Sequence, residues 1–139
     1  MEEKSIHIIG ITGEAGAGKS VVLSYLKDNY PCEVLMADEI GNQVKEPGER
    51  CYDAVIRLLG EEIVREDGTL DKTLIASKIF ADEVLLEQMN AIIHPAVHDV
   101  IFERIDALRQ EGKIPFVFIE AALLIEAGYV DEIDELWYI

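Results

Sequence analysis

Gly13-Glu14-Ala15-Gly16-Ala17-Gly18-Lys19-Ser20 follows the apolar run Ile6-His7-Ile8-Ile9-Gly10-Ile11 and precedes Val22, Leu23 and Leu26 at helical spacing. Gly-x-x-x-x-Gly-Lys-Ser between a strand and a helix is a phosphate-binding loop. Glycines let the backbone turn tightly, so that its N–H groups approach phosphate oxygens with no side chain in the way. The following helix aims its positive end at the anion. The residues that would hold a nucleotide's phosphates are therefore Gly13, Ala15, Gly16, Ala17, Gly18, Lys19, Ser20 and Val21. Lys19 brings a charge to the β- and γ-phosphates, which makes it a catalytic candidate too. The Ser20 hydroxyl suits Mg²⁺.

The rest of the composition narrows the class. The chain has 139 residues and 50% hydrophobic content, enough for one compact domain with a core. Its net charge is −16, from 12 basic and 28 acidic residues. No run of Lys and Arg interrupts that balance along the sequence, which argues against a nucleic-acid partner and requires ATP to be held by local contacts. No apolar run approaches the roughly 18 residues that cross a bilayer. Met1-Glu2-Glu3-Lys4 lacks the features of a signal peptide, so a cytoplasmic protein with no membrane partner is expected. Cys32 and Cys51 form no Cys-x-x-Cys and read as reduced structural thiols.

Periodicity gives an α/β chain with a parallel sheet. Strands are expected at Ile6–Thr12, Glu33–Ala37, Pro115–Ile119 and Leu136–Ile139, and a helix at Lys19–Asn29. Between the second and third strands, residues 39–113 read as a helical insertion far longer than an ordinary crossover. The nucleotide-binding core is then 1–38 with 114–139, all within one domain. Inside the insertion, Gly60 stops a helix, Asp71 and Asp82 are candidate caps, and His94-Pro95 closes one helix and opens the next. Leu85, Leu86, Met89, Ile92 and Ile93 form one expected buried stripe; Val97, Val100, Ile101, Ile105 and Leu108 form another. Tyr25, Tyr30, Tyr52, Trp137 and the phenylalanines are expected in the core, while His7 and His98 are read as structural. The chain stops on a strand that has no covering helix after it, which reads as a truncated fold.

Asp38 follows the second strand, at the sheet edge where ligands sit in parallel α/β folds. It is a candidate base for a phosphoryl acceptor, or an N-cap of the next helix. Glu120 ends the third strand and either holds Mg²⁺ through water or meets solvent there. Thr12, just before the loop, contacts phosphate or acceptor, or is simply a β-former ending its strand.

Together with the loop, Ala37-Asp38-Glu39-Ile40, Gln43-Val44-Lys45-Glu46-Pro47-Gly48, Asp67-Gly68-Thr69-Leu70-Asp71, Ile79-Phe80, His94-Pro95 and Leu123-Leu124-Ile125-Glu126 make the chain resemble dephospho-CoA kinases. The resemblance implies a P-loop NTPase three-layer fold similar to the nucleoside monophosphate kinases, with the helical insertion binding the acceptor. It implies ATP- and Mg²⁺-dependent phosphorylation of the 3′-hydroxyl of dephospho-CoA, with Asp38 in catalysis and with His94 and Glu126 toward the acceptor. Met36-Ala37-Asp38 stands where the family has Asp-Ala-Asp, and Ala122 where it has Pro. The family's last strand and its arginine-bearing lid would lie beyond Ile139. The alternatives are another P-loop small-molecule or nucleoside monophosphate kinase, or a nucleotide-binding piece without transfer activity. A guanine-specific switch protein would need Asn-Lys-x-Asp, which does not occur.

Overall fold

The structure, a computed structural model, describes residues 5–13, 18–121 and 129–139. Its chain divides into two compact units, Met1–Asp38 with Val100–Ile139, and Glu39–Asp99.

The first unit is a parallel α/β sheet. Strand β1 (His7–Thr12) is buried along nearly its whole length, as its β-branched, uncharged sequence requires of a strand covered on both faces. It is followed by α1 (Lys19–Asn29), β2 (Cys32–Met36), β3 (Phe116–Glu120) and β4 (Glu135–Tyr138). The sheet order is β2-β3-β1-β4 and every pairing is parallel. Ile9, Ile11 and Phe118 on one sheet face form a core with Leu23 and Leu26 of α1, so the helix buries the stripe its spacing marks out. Trp137 packs at the margin of this core, its ring 5.6 Å from that of Phe118. The start of β4 is fixed by Asp134, whose carboxylate accepts from the Ile8 N–H at 2.7 Å while its own N–H donates to the Ile8 carbonyl. His7 binds Glu135 beside it, a structural role.

Helix α2 (Ala37–Gln43) leads into the second unit, which holds α3 (Tyr52–Leu59), a 3₁₀ turn at Glu61–Ile63, α4 (Lys72–Phe80) and the first part of α5 (Glu83–Glu111). Gly60 ends α3 with φ 99°, where a side chain would be strained. Asp71 caps α4 by accepting from the Leu74 N–H, and Asp82 accepts from the N–H groups of Val84 and Leu85 at the start of α5. Ile40, Val44, Cys51, Val55, Leu59, Ile63, Leu70, Ile75, Met89 and Val97 form the buried interior. The Cys51 thiol donates to the Ile92 carbonyl and the Cys32 thiol to that of Leu26; both cysteines are free, and burial raises both thiol pKa values.

Several expectations are corrected. The helix does not break at His94-Pro95: α5 runs through Pro95 from Glu83 to Glu111. Met89, Val97, Ile101 and Ile105, at multiples of four residues, are all buried, and that continuous stripe outweighs the hydrogen bond proline removes. Pro95 itself is exposed, the side on which a helix tolerates the ring best. Leu86 is 39% exposed, because it lies off that stripe. Tyr25, Tyr30, Phe80 and Phe116 are exposed rather than core, and Phe118 is the buried phenylalanine. Apart from the end of β1 at Thr12, each strand boundary moves by a residue, and β2 ends at Met36 rather than Ala37 because α2 has already begun.

Candidate active site

Adjacent strands β1 and β3 send the chain in opposite directions, β1 toward β2 and β3 toward β4. Such a switch point opens a crevice at the carboxyl ends of the strands, where ligands bind in parallel sheets. The glycine loop leaves β1 at this place. Gly13 has φ 151°, and a Cβ there would lie 2.0 Å from the Ile139 carbonyl oxygen, so only glycine fits. Gly18 has φ 96° and precedes α1, with no atom of the described residues within 4 Å of where a Cβ would stand. Its constraint is conformational rather than steric.

Lys19 opens α1, and its ammonium donates to Glu120 Oε1 at 3.0 Å. The side chains are 15% and 8% exposed, so both charges are largely out of water and each requires the other. The register explains how they meet. Ile11, Glu120 and Met36 lie abreast on β1, β3 and β2, which places the residues just after them on one sheet edge: Thr12 and Gly13, Ala121, and Asp38. Thr12 is buried, and its carbonyl accepts from the Ile139 N–H at 3.0 Å. Ser20 and Val21 are exposed in the first turn of α1.

Asp38 is exposed and lies inside the first turn of α2, since the helix starts at Ala37. It is therefore not an N-cap, although a carboxylate in a helix's first turn is electrostatically favoured. His94 belongs to the other unit, exposed in the interior of α5, so it does not close a helix. Ala15, Gly16, Ala17 and Glu126 lie outside the described residues. Among the described residues no group of three or more His, Cys, Asp and Glu could hold a metal ion. No helix among them is long and apolar enough to cross a membrane.

One cluster of charges forms only on folding. In the unit Glu39–Asp99, Asn42, Lys45, Glu46, Arg65, Thr69 and Lys72 line a cavity of about 310 Å³ with Leu70 and Ile75. The sequence shows no run of basic residues, yet folding gathers three of the 12 Lys and Arg around one space. The available cue was that Lys45 and Lys72 belong to the stretches flanking Glu-Pro-Gly and Asp-Gly-Thr-Leu-Asp.

A sequence model described as dephospho-CoA kinase matches residues 7–139. The dephospho-CoA kinase of Geobacter sulfurreducens is 37% identical over 134 residues, which are 96% of this chain and 67% of the relative. Those of Moorella thermoacetica and Symbiobacterium thermophilum are 36% and 34% identical, over 94% and 96% of this chain and 61% and 55% of theirs. Among solved structures, TT1252 from Thermus thermophilus superposes with a TM-score of 0.79 at 32% identity, covering 98% of this chain and 66% of the other. Dephospho-CoA kinase from Campylobacter jejuni superposes with a TM-score of 0.72 at 17% identity, covering 92% of this chain and 63% of the other, which shows a shared fold. The chain thus spans between 55% and 67% of the length of these three curated relatives. With the loop, the switch point and a family match running from β1 to Ile139, this chain belongs to the dephospho-CoA kinase family.

Proposed function

We propose that this chain carries the donor and acceptor sites of a cytoplasmic kinase that moves the γ-phosphate of ATP to the 3′-hydroxyl of dephospho-CoA, giving coenzyme A. The observation that carries the reading is the Lys19–Glu120 pair at the β1/β3 switch point, a buried cation held where a phosphate chain would lie. The names of the relatives support the choice of acceptor.

In this reading Gly13 to Val21 wrap the triphosphate, and Lys19 exchanges its carboxylate for phosphate oxygens. The oxygen-donor side chains Ser20 and Glu120 suit Mg²⁺, which binds through a few oxygens, its waters and substrate phosphates rather than an all-protein cage. When bound it would neutralise charge on the phosphates. Asp38 accepts the proton of the attacking hydroxyl, a new bond forms to the γ-phosphorus, and the bond to the β-phosphate oxygen breaks to release ADP. Thr12, His94 and Glu126 serve the acceptor.

A coupled assay of ADP release tests this with dephospho-CoA, nucleoside monophosphates and shikimate as acceptors. ADP release that depends on dephospho-CoA supports the reading. Faster release with a nucleoside monophosphate would replace the acceptor, and ATP binding with no release would make the chain a nucleotide-binding piece.

A further inference from the structure

The cavity in Glu39–Asp99 is built from rigid parts. Arg65 and Thr69 sit on a tight hairpin in which Val64 pairs with Leu70, and the Arg65 N–H donates to the Thr69 carbonyl at 2.8 Å. Tyr52 donates to the Gly68 carbonyl and Asp67 accepts from Thr69, which ties down the turn. Lys72 opens α4 immediately after its cap, and Lys45 lies past the end of α2 in a segment held by the Cys51 N–H donating to the Val44 carbonyl. Arg65 reaches Asp71 at 3.7 Å. Among the described residues, Lys45 and Lys72 have no ion-pair partner. A chain with 28 acidic residues had ample means to neutralise them.

Lys45 is half-buried, and its pKa is lowered first by burial and then by the charge of Lys72. Such an arrangement disfavours the empty folded protein and favours whatever anion enters. With Glu46 on the wall and Asp71 engaging Arg65, the three cations still leave the cavity net positive, a charge that an anion such as a diphosphate diester would neutralise. Asn42 adds a neutral amide donor to the wall, and a volume of about 310 Å³ is at the lower end of small-ligand pockets.

We propose that this cavity is a diphosphate-binding site, with Lys45, Lys72 and Arg65 as its ligands, and that it takes the diphosphate bridge of the acceptor. The inference rests on the kinase reading for the identity of the acceptor, but not for the anion chemistry. It assigns to the helical unit a charge-selective hold on the acceptor that does not involve the phosphate loop.

Calorimetry on the chain tests it with inorganic pyrophosphate, dephospho-CoA, ADP and ATP as separate probes, and with sulfate as a singly compact control anion. Lys45→Met and Lys72→Met are compared with Lys113→Met, which lies outside the cavity. The expected result is that each cavity variant weakens pyrophosphate and dephospho-CoA by at least about tenfold while ATP binding and the Lys113 variant stay as wild type. Two-dimensional amide spectra confirm that the variants remain folded. Unchanged pyrophosphate affinity in both variants, or no pyrophosphate binding by the wild type, overturns the site. Pyrophosphate and ADP weakened together, with dephospho-CoA unchanged, overturns its assignment to the acceptor. Loss of dephospho-CoA binding in the variants without any ADP release by the wild type supports the site while counting against the kinase reading.

Discussion

Lys19 Nζ lies 3.0 Å from Glu120 Oε1, joining the first residue of α1 to the last residue of β3 across the switch point of the sheet. With side chains 15% and 8% exposed, neither charge is well hydrated. Truncating Glu120 to Ala strands a buried ammonium, and the expected loss of stability is about 3 kcal/mol. Removing both partners, Lys19→Met with Glu120→Ala, is expected to cost less than the sum of the single changes. Urea unfolding of the four proteins of that cycle measures the coupling. Strict additivity would mean that the pair contributes nothing specific.

Gly13 and Gly18 differ in why they must be glycine, and the difference is measurable. At Gly13 a Cβ meets a backbone oxygen at 2.0 Å, whereas at Gly18 no atom of the described residues stands within 4 Å and the strain comes from φ 96°. Gly18→Ala is expected to cost about 1 kcal/mol. Gly13→Ala should cost clearly more and lower the melting temperature further. Equal effects in thermal unfolding would contradict the steric argument.

Pro95 sits within α5, where it can make no hydrogen bond to the Ala91 carbonyl. Pro95→Ala restores the donor without disturbing the buried stripe, since Pro95 is exposed. We expect a gain of about 1–3 kcal/mol in equilibrium unfolding. A loss of stability would show that the proline sets a bend the packing needs.

Tyr129 is buried, with its ring stacked 6.3 Å from Phe102, and its pKa is pushed up to about 12 by burial and by the negative charge of Glu132. The folded protein therefore holds the phenolic proton more tightly than the unfolded chain, whose value is near the ordinary 10.0. The resulting stability is fully present below pH 10 and is lost as pH rises toward 12. The loss should reach about 2–3 kcal/mol. Tyr129→Phe should remove that alkaline step from a series of urea transitions, so that the two proteins differ in pH slope above pH 10. Parallel slopes would contradict it.

Local signals carried most of the fold. The loop glycines, β-branched β1, Gly60 at the end of α3 and Asp71 at the start of α4 each act within a few residues, so the linear pattern contains them. At Pro95 a local rule predicts a break, whereas burial summed over both sides of the proline decides the helix. Exposed Tyr25 and Phe80 lie at positions whose apolar character names no partner; only the packing shows which face is covered. In the site, Lys19 and Glu120 were each singled out in the sequence, but their contact depends on the register of β1 with β3, which no spacing along 101 residues encodes. Lys45, Arg65 and Lys72 were hidden for the same reason. Charge clusters formed by folding leave no run in the chain.

The proposed chemistry is tested most directly by single-turnover transfer of labelled phosphate from ATP to dephospho-CoA, comparing the wild type with Asp38→Asn at matched ATP occupancy. The wild type should form 3′-phosphorylated product. The variant should bind ATP equally well and transfer about 10²–10⁴-fold more slowly. No transfer by the wild type, or equal transfer by both proteins, would contradict a kinase site in which Asp38 takes the acceptor's proton.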